Sequence, residues 1–300
     1  MNATAVSVRT QFKDYVDLTK PRITLLVLVT AFAGMWLAAG GMPAPTLVFF
    51  TLLGTGLAAG SSSALNNYVD RNVDKRMQRT QDRALPAGRV LPARALALGV
   101  VLALVAFALL QVTVNALSAW LAVGTIAFYV GIYTVWLKRT SPLCTSIGGV
   151  AGALPPVIGW AAVSGHVGWP ALALFGLLFL WQPPHFWALA LMRVEEYRNA
   201  KLPMLPVVRG PRATKRQMLL YTAALLPASA ALYALGLTGP LYLVVAIALG
   251  AAYLVQTINF ARKPITKASA KKLFFFSIVY LFVLFVMVFV DCSCGKTSTF

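Results

Sequence analysis

Charge is what this 300-residue chain has little of. Only 11% of its residues are Asp, Glu, Lys or Arg, against 59% hydrophobic ones, which excludes a soluble domain of ordinary composition. The scarcity is uneven. Ile23–Val69, Ala95–Leu137, Thr140–Met192 and Gln217–Ala261 hold no charged residue over 47, 43, 53 and 45 positions. A membrane span needs about 20 apolar residues, so each block accommodates two spans and a tight hairpin. Turn-forming and polar residues place the hairpins at Gly40–Pro45, Val112–Ala116, Ser164–Trp169 and Gly236–Pro240. Leu273–Val290 supplies a further apolar run, for nine spans in all.

Acidic residues are scarcer still, eight against 26 Lys and Arg, for a net charge of +18. With nine spans, the N-terminus and the loops joining spans 2–3, 4–5, 6–7 and 8–9 share one side. That side collects 25 of the 26 basic residues, all but Lys296, and the positive-inside rule makes it cytoplasmic. The C-terminus then lies opposite, together with Asp291. Topology and attraction to anionic lipid or an anionic substrate account for the charge; no motif calls for a nucleic-acid partner.

Cysteine is nearly absent as well. Three residues give no disulfide framework, Cys292-Ser-Cys294 lacks the usual metal spacing, and Cys144 sits in an apolar run where a buried thiol is ordinary. The first 22 residues contain no apolar core with a small-residue cleavage site, and Asp14 and Asp17 argue against a transit peptide. A bacterial inner membrane is the expected location; a mitochondrial chain relieved of its presequence fits the same residues. The expected organisation is a cytoplasmic segment 1–22, one nine-span membrane domain 23–291 and a tail 292–300.

What is present is concentrated in Leu65–Gly88, LNNYVDRNVDKRMQRTQDRALPAG. Asn66, Asp70 and Asp74 fall at i, i+4 and i+8, which on a helix lines them along one face. Oxygen ligands at that spacing suit Mg²⁺, which often bridges to a substrate's phosphates. Arg79 and Arg83 follow at the same spacing, with Lys75, Arg76 and Arg89 close by, and guanidinium forks grip phosphate oxygens. A solvated helix end with local ion pairs is the competing reading. The helix is expected to continue span 2 past the membrane and to break near Pro86 and Gly88. Before it, Gly54 to Ser63 form a small-residue face, which serves either close helix packing or a long ligand.

Later loops add candidates. Tyr129, Tyr133 and Trp136 stand at roughly helical spacing beside Lys138 and Arg139; an interfacial aromatic belt and π-faces for a cationic intermediate both fit. In span 6, Pro183 and Pro184 remove two backbone donors, so the helix is expected to open or kink there. His185 follows directly, as ligand, acid–base group or packing residue. Loop 6–7 mixes Glu195 and Glu196 with Arg193, Arg198 and Lys201 around Leu202-Pro-Met-Leu-Pro206.

Taken together these residues resemble the UbiA-type intramembrane prenyltransferases. Asn66-Asn-Tyr-Val-Asp70-Arg-Asn-Val-Asp74, followed by Arg79-Thr80, Arg83 and Leu85-Pro-x-Gly88, is similar to the superfamily's first aspartate-rich motif. Tyr133-Thr-x-Trp136-Leu-Lys-Arg139, Trp181-Gln-Pro-Pro-His185-Phe and Glu196-Tyr197 with Pro203-Met-Leu-Pro206 resemble its heme-modifying branch. The resemblance implies an all-α fold of nine transmembrane helices around a central cavity. It implies farnesyl diphosphate bound through Mg²⁺ at the two acidic loops, and transfer of a hydroxyethylfarnesyl group to the 2-vinyl carbon of heme B, giving heme O. A heme A-forming enzyme would then be a downstream partner.

Carried over to this chain, Asn66, Asp70 and Asp74 hold Mg²⁺, with Glu195 and Glu196 at a second position. Asn66, Asn67, Lys75, Arg79, Arg83, Arg193 and Lys201 contact diphosphate or heme. Tyr133, Trp136, Lys138 and Arg139 border the reacting end, and His185 contacts or ligates heme. The chain departs from the pattern at Asn72, where Asp is frequent, at Glu196, where Asp is usual, and at Lys201, where Gly is usual. Two other readings stay open from the residues alone: prenylation of an aromatic acid such as hydroxybenzoate, and an ion-coupled transporter built on Asp70, Asp74 and His185.

Overall fold

The computed structural model describes residues 12–292; Lys296, Cys294 and most of the expected tail lie outside the described residues. Residues 12–18 form a short helix, α1. The spans are α2 (Pro21–Ala39), α3 (Pro45–Asp74) and α4 (Pro92–Thr113), then α5 (Ala116–Ala127) continued by a π-helical stretch (Phe128–Leu137) and α6 (Lys138–Thr140). The fifth span is split into α7 (Cys144–Ala153) and α8 (Pro155–Ser164), and the sixth is α9 (Trp169–Leu191). Two short helices between spans 6 and 7, α10 (Val194–Asn199) and α11 (Leu205–Val208), precede α12 (Gly210–Ala234), α13 (Pro240–Arg262) and α14 (Lys267–Val290). Among the described residues nine helical segments are long and apolar enough to cross a membrane.

Each expected hairpin coincides with a gap between consecutive spans. Pro21, Pro45, Pro92, Pro170, Pro211 and Pro240 all stand in the first two positions of a helix, where a missing N–H costs no hydrogen bond. The break in span 5 follows the same chemistry: Pro155 and Pro156 supply no donors, and the helix restarts on them.

Pro183 and Pro184 depart from expectation. Both are buried inside α9, which runs unbroken from Trp169 to Leu191. Neighbouring helices hold the backbone through the two lost bonds. The helix of span 2 also stops earlier than its charge pattern suggests: α3 ends at Asp74, and turns occupy the chain from there to the start of α4.

Close approach is built with glycine. A Cβ on Gly159 would lie 1.9 Å from the Ala31 carbonyl oxygen, and one on Gly34 2.1 Å from that of Pro156, so spans 1 and 5 touch backbone to backbone. Gly54 receives Leu110, and Gly99 receives Leu65, which locks α3 against α4. One apolar core joins α9, α12, α13 and α14 to α2, α7 and α8, and a second lies among α3, α4, α5 and α8. Outward faces carry exposed Leu104, Val112, Val244 and Phe282, as lipid contact requires.

The ends are pinned by polar contacts. Asp291 caps α13, accepting from the Tyr242 amide at 2.6 Å, where the helix dipole favours a carboxylate. At the other end Arg89 pairs with the buried Asp14 at 3.0 Å, and Asn67 Nδ2 donates to the Leu18 carbonyl at 3.0 Å. These two contacts seat α1 and the linker to α2 beside the end of α3.

Candidate active site

The last two turns of α3 carry Asn66, Asp70 and Asp74 on one buried face, 4%, 2% and 4% exposed. Asn66 Nδ2 donates to Asp70 Oδ2 at 2.9 Å and to Thr134 Oγ1 at 3.1 Å. Four basic side chains converge on this face from three different segments. Lys20 Nζ donates to Asn66 Oδ1 at 3.0 Å; Lys138 Nζ lies 2.5 Å from Asp70 Oδ2; Arg83 Nη1 lies 2.8 Å from Asp74 Oδ2. Arg139 stands 3.8 Å from Asp70 Oδ1 and donates to the Val69 carbonyl at 2.9 Å. Asp70 Oδ1 is buried with no hydrogen-bond partner.

Lys20 is the residue that charge counting along the chain overlooks. Its backbone is left-handed, φ 50°, an uncommon conformation for a side chain of this size, and this turns it back over α3. Burial, reinforced by Arg83 and Lys138 and opposed by Asp74 and Asp70, brings its pKa down from 10.5 to about 8. Thr134 was equally silent in the sequence. It reaches Asn66 because the π-helical stretch sets its Oγ1 on the Tyr129 carbonyl, five residues back, at 2.8 Å.

Beneath the acidic face lies a cavity of about 370 Å³, within the range of ligand pockets. Its walls come from spans 1, 2, 4, 5 and 6 and from Tyr197 and Met204 of loop 6–7. Thr55, Ala58, Ala59, Ser62 and Ser63 of α3 line it, so the small-residue face serves ligand space here and close packing at Gly54. Tyr129 and Tyr133 line it too, ring centroids 5.3 Å apart, with Gly148 leaving room for the Tyr133 ring. Gln182 is fixed in the wall by donating to the Gly149 carbonyl at 2.9 Å.

Several expected site residues stand elsewhere. His185 is absent from the cavity lining. It is stacked between Trp181 and Phe274, both at 4.5 Å, with Nδ1 2.7 Å from Ser277 Oγ, so it packs span 6 against span 9. Trp136 is 60% exposed and outside the lining, in keeping with an interfacial belt. Lys75 is exposed. Asn67, bound to Leu18, faces the N-terminal segment and not the acids. Lys201 is exposed in a left-handed turn, φ 56°, the backbone geometry for which glycine is the ordinary choice.

In loop 6–7, Glu195 is exposed and pairs with Arg198 of its own helix. Glu196 is only partly exposed, and its Oε2 is buried without a partner. Arg193 likewise has a buried, unpartnered Nη1. Arg79 lies within electrostatic reach of Arg193, Tyr197 and Arg83; partial burial, partly offset by Tyr197, holds its guanidinium below the usual arginine range. Loop 2–3 and loop 6–7 therefore meet around Tyr197.

The donor set on α3 is two carboxylates and an amide oxygen, hard ligands of the kind Mg²⁺ takes. Among the described residues no group of three His, Cys, Asp or Glu could hold a metal. A site of this kind relies on a phosphate ligand to complete the shell.

Among the described residues, a hydrophobic chamber within a bundle of nine membrane-length helices, beside a buried face of acids and converging cations, defines an intramembrane enzyme of the prenyltransferase class. The chain belongs to the UbiA prenyltransferase family, whose model matches residues 27–279, and it is a transferase. Among its relatives, the protoheme IX farnesyltransferase of Symbiobacterium thermophilum is 48% identical over 94% of this chain and 94% of that protein. The structure of digeranylgeranylglyceryl phosphate synthase superposes with a TM-score of 0.80 at 16% identity, over 94% of this chain and 98% of its own. A UbiA homologue from Archaeoglobus fulgidus, bound to DMAPP and Mg²⁺, gives 0.65 at 15% identity over 92% and 99%.

Proposed function

We propose that this enzyme transfers a farnesyl group from farnesyl diphosphate to the 2-vinyl group of heme B, with addition of water, to give heme O and diphosphate. The observation that carries the reading is the buried Asn66–Asp70–Asp74 face, held by Lys20, Lys138 and Arg83 one turn beyond Ser62 and Ser63, which line an apolar chamber. The names of the relatives supply the acceptor.

Ionising an allylic diphosphate separates a carbocation from a multiply charged leaving group. Lys20, Lys138, Arg83 and Arg139 set positive charge where the leaving oxygens develop negative charge, fixed in place before the reaction. Mg²⁺ held by Asp70, Asp74 and Asn66 would neutralise the diphosphate as a Lewis acid. Tyr129 and Tyr133 present π-faces to the allylic carbon. The C1–O bond of the donor breaks and C1 bonds to the terminal vinyl carbon. Water adds to the ring-adjacent carbon and releases its proton. Glu196, with its orphaned oxygen beside Tyr197, is the loop 6–7 acid placed to help; Glu195 is not. His185 braces span 6 in this account.

The enzyme works in the bacterial inner membrane with its charged loops cytoplasmic, where diphosphates are made. The deciding assay supplies membranes containing the protein with heme B, farnesyl diphosphate and Mg²⁺, and EDTA as control. A heme product heavier by one farnesyl group plus water, absent with EDTA, is the expected result. Prenylation of hydroxybenzoate with no heme product overturns the acceptor assignment.

A further inference from the structure

Each span that lines the cavity stops lining it at a definite depth. On α3 the last lining residue is Thr55; Thr51, one turn further from the acids, is fully buried but outside the lining. On α5 the lining ends at Ala122, with Ala119 buried a turn beyond, and on α8 it ends at Ile158. These three helices touch one another, and Ala122 and Ile158 belong to the same apolar cluster. The space behind them is closed. Leu110 presses into the gap left by Gly54, and Ser118 Oγ lies 3.5 Å from the Ile158 carbonyl.

The depth of the chamber follows from helix geometry. From Asn66, at the diphosphate end, to Thr55 is eleven residues, about 16 Å at the α-helical rise. Extended prenyl tails of 10, 15 and 20 carbons reach roughly 9, 14 and 19 Å by ordinary carbon–carbon geometry. Against that depth the first tail falls short by about 7 Å and the second by about 2 Å, while the third overruns by about 3 Å.

We propose that Thr55, Ala122 and Ile158 are specificity-determining residues: a floor that measures the donor's tail and matches it to 15 carbons. This rests on the reading of the donor as a prenyl diphosphate and adds to it the residues that select its length. Ala122 carries no side chain past Cβ, so only glycine would deepen the floor on that side, and any larger residue raises it. Ile158 is the bulkiest of the three, and trimming it lowers the floor towards span 3 and the Leu110 packing.

The test uses full-length protein in detergent with Mg²⁺ and no acceptor, so that it is blind to the identity of the acceptor. Unreactive thiolodiphosphates with 10-, 15- and 20-carbon tails are titrated into wild type, Ala122→Phe and Ile158→Ala. Wild type is expected to bind the 15-carbon compound most tightly. Ala122→Phe loses about tenfold or more for it while keeping the 10-carbon one, and Ile158→Ala gains about tenfold for the 20-carbon one, a range ordinary for pocket discrimination. If both variants keep the wild-type order, the floor assignment falls while the donor reading stands. If wild type binds none of the three, the donor reading itself falls. Should Ala122→Phe bind nothing, Ile158→Ala alone decides, since an unshifted 20-carbon affinity there overturns the proposal.

Discussion

At the scale of single residues, the site is a set of acids each already in contact with a base. Asp70→Asn keeps an acceptor for Lys138 but loses the charge, and Asp74→Asn does the same towards Arg83. Each is expected to reduce product formation to background while the protein still inserts and elutes as wild type. Near-normal turnover in either would remove the residue from the site. Lys20 gives a pH signature. Its pKa lies near 8 in the folded chain against 10.5 ordinarily, so between those values the unfolded chain holds a proton that the folded chain has released. Stability therefore rises with pH across that window, and thermal unfolding in EDTA should show a rise that Lys20→Met abolishes. The acids were legible in the sequence because one helical face carries them at four-residue spacing. Lys20 and Thr134 were not, since a left-handed turn and a π-helical stretch, rather than any spacing, bring them in. The residues alone leave His185 open between ligand, acid–base group and packing residue; in the fold it stacks between Trp181 and Phe274.

Elements show the same division between pattern and packing. The hairpins and span ends could be read directly, because proline, glycine and charge interrupt apolar runs wherever the chain turns. Which proline pair breaks its helix could not. Pro155 and Pro156 split span 5, while Pro183 and Pro184 are carried inside α9, and the difference lies in neighbours that only folding assembles. The contact of spans 1 and 5 yields a sharp expectation. Gly159→Ala drives a methyl against the Ala31 carbonyl and should cost about 1–3 kcal/mol or more, as overpacking does. Gly176→Ala, in α9 with nothing within 4 Å of the added carbon, should be neutral or slightly stabilising. Paired denaturation curves check both, and equal curves would mean that spans 1 and 5 are not in backbone contact.

For the molecule as a whole, one group of spans walls the chamber and another does not touch it. Spans 1, 2, 4, 5 and 6 wall the chamber, whereas α12, α13 and α14 share a core with α9 and line none of it. Alanine substitutions at Leu225 or Leu284, fully buried in that core, should lower stability by roughly 2–5 kcal/mol and leave the KM for the donor unchanged. Orientation is checked separately: single cysteines replacing Asp82 and His166 in a background without native cysteines should label from opposite faces of the membrane. Nine spans were readable from charge blocks alone; their sidedness is the expectation that the labelling checks. The assignment of walls and buttress was not, because lipid-facing, core-facing and cavity-facing apolar residues look alike in composition.

One structural coincidence constrains how such an enzyme changes its substrate. A turn of α3 advances about 5.4 Å, close to the length one isoprene unit adds, about 5 Å. Adding a single residue between Asp70 and Thr55 would swing the deep end by about 100° and face it into a neighbouring helix. Adding a whole turn would restore the facing and deepen the chamber by one unit. Insertions in this helix therefore change the chamber's depth by whole turns, whereas a resized floor side chain supplies the finer adjustments.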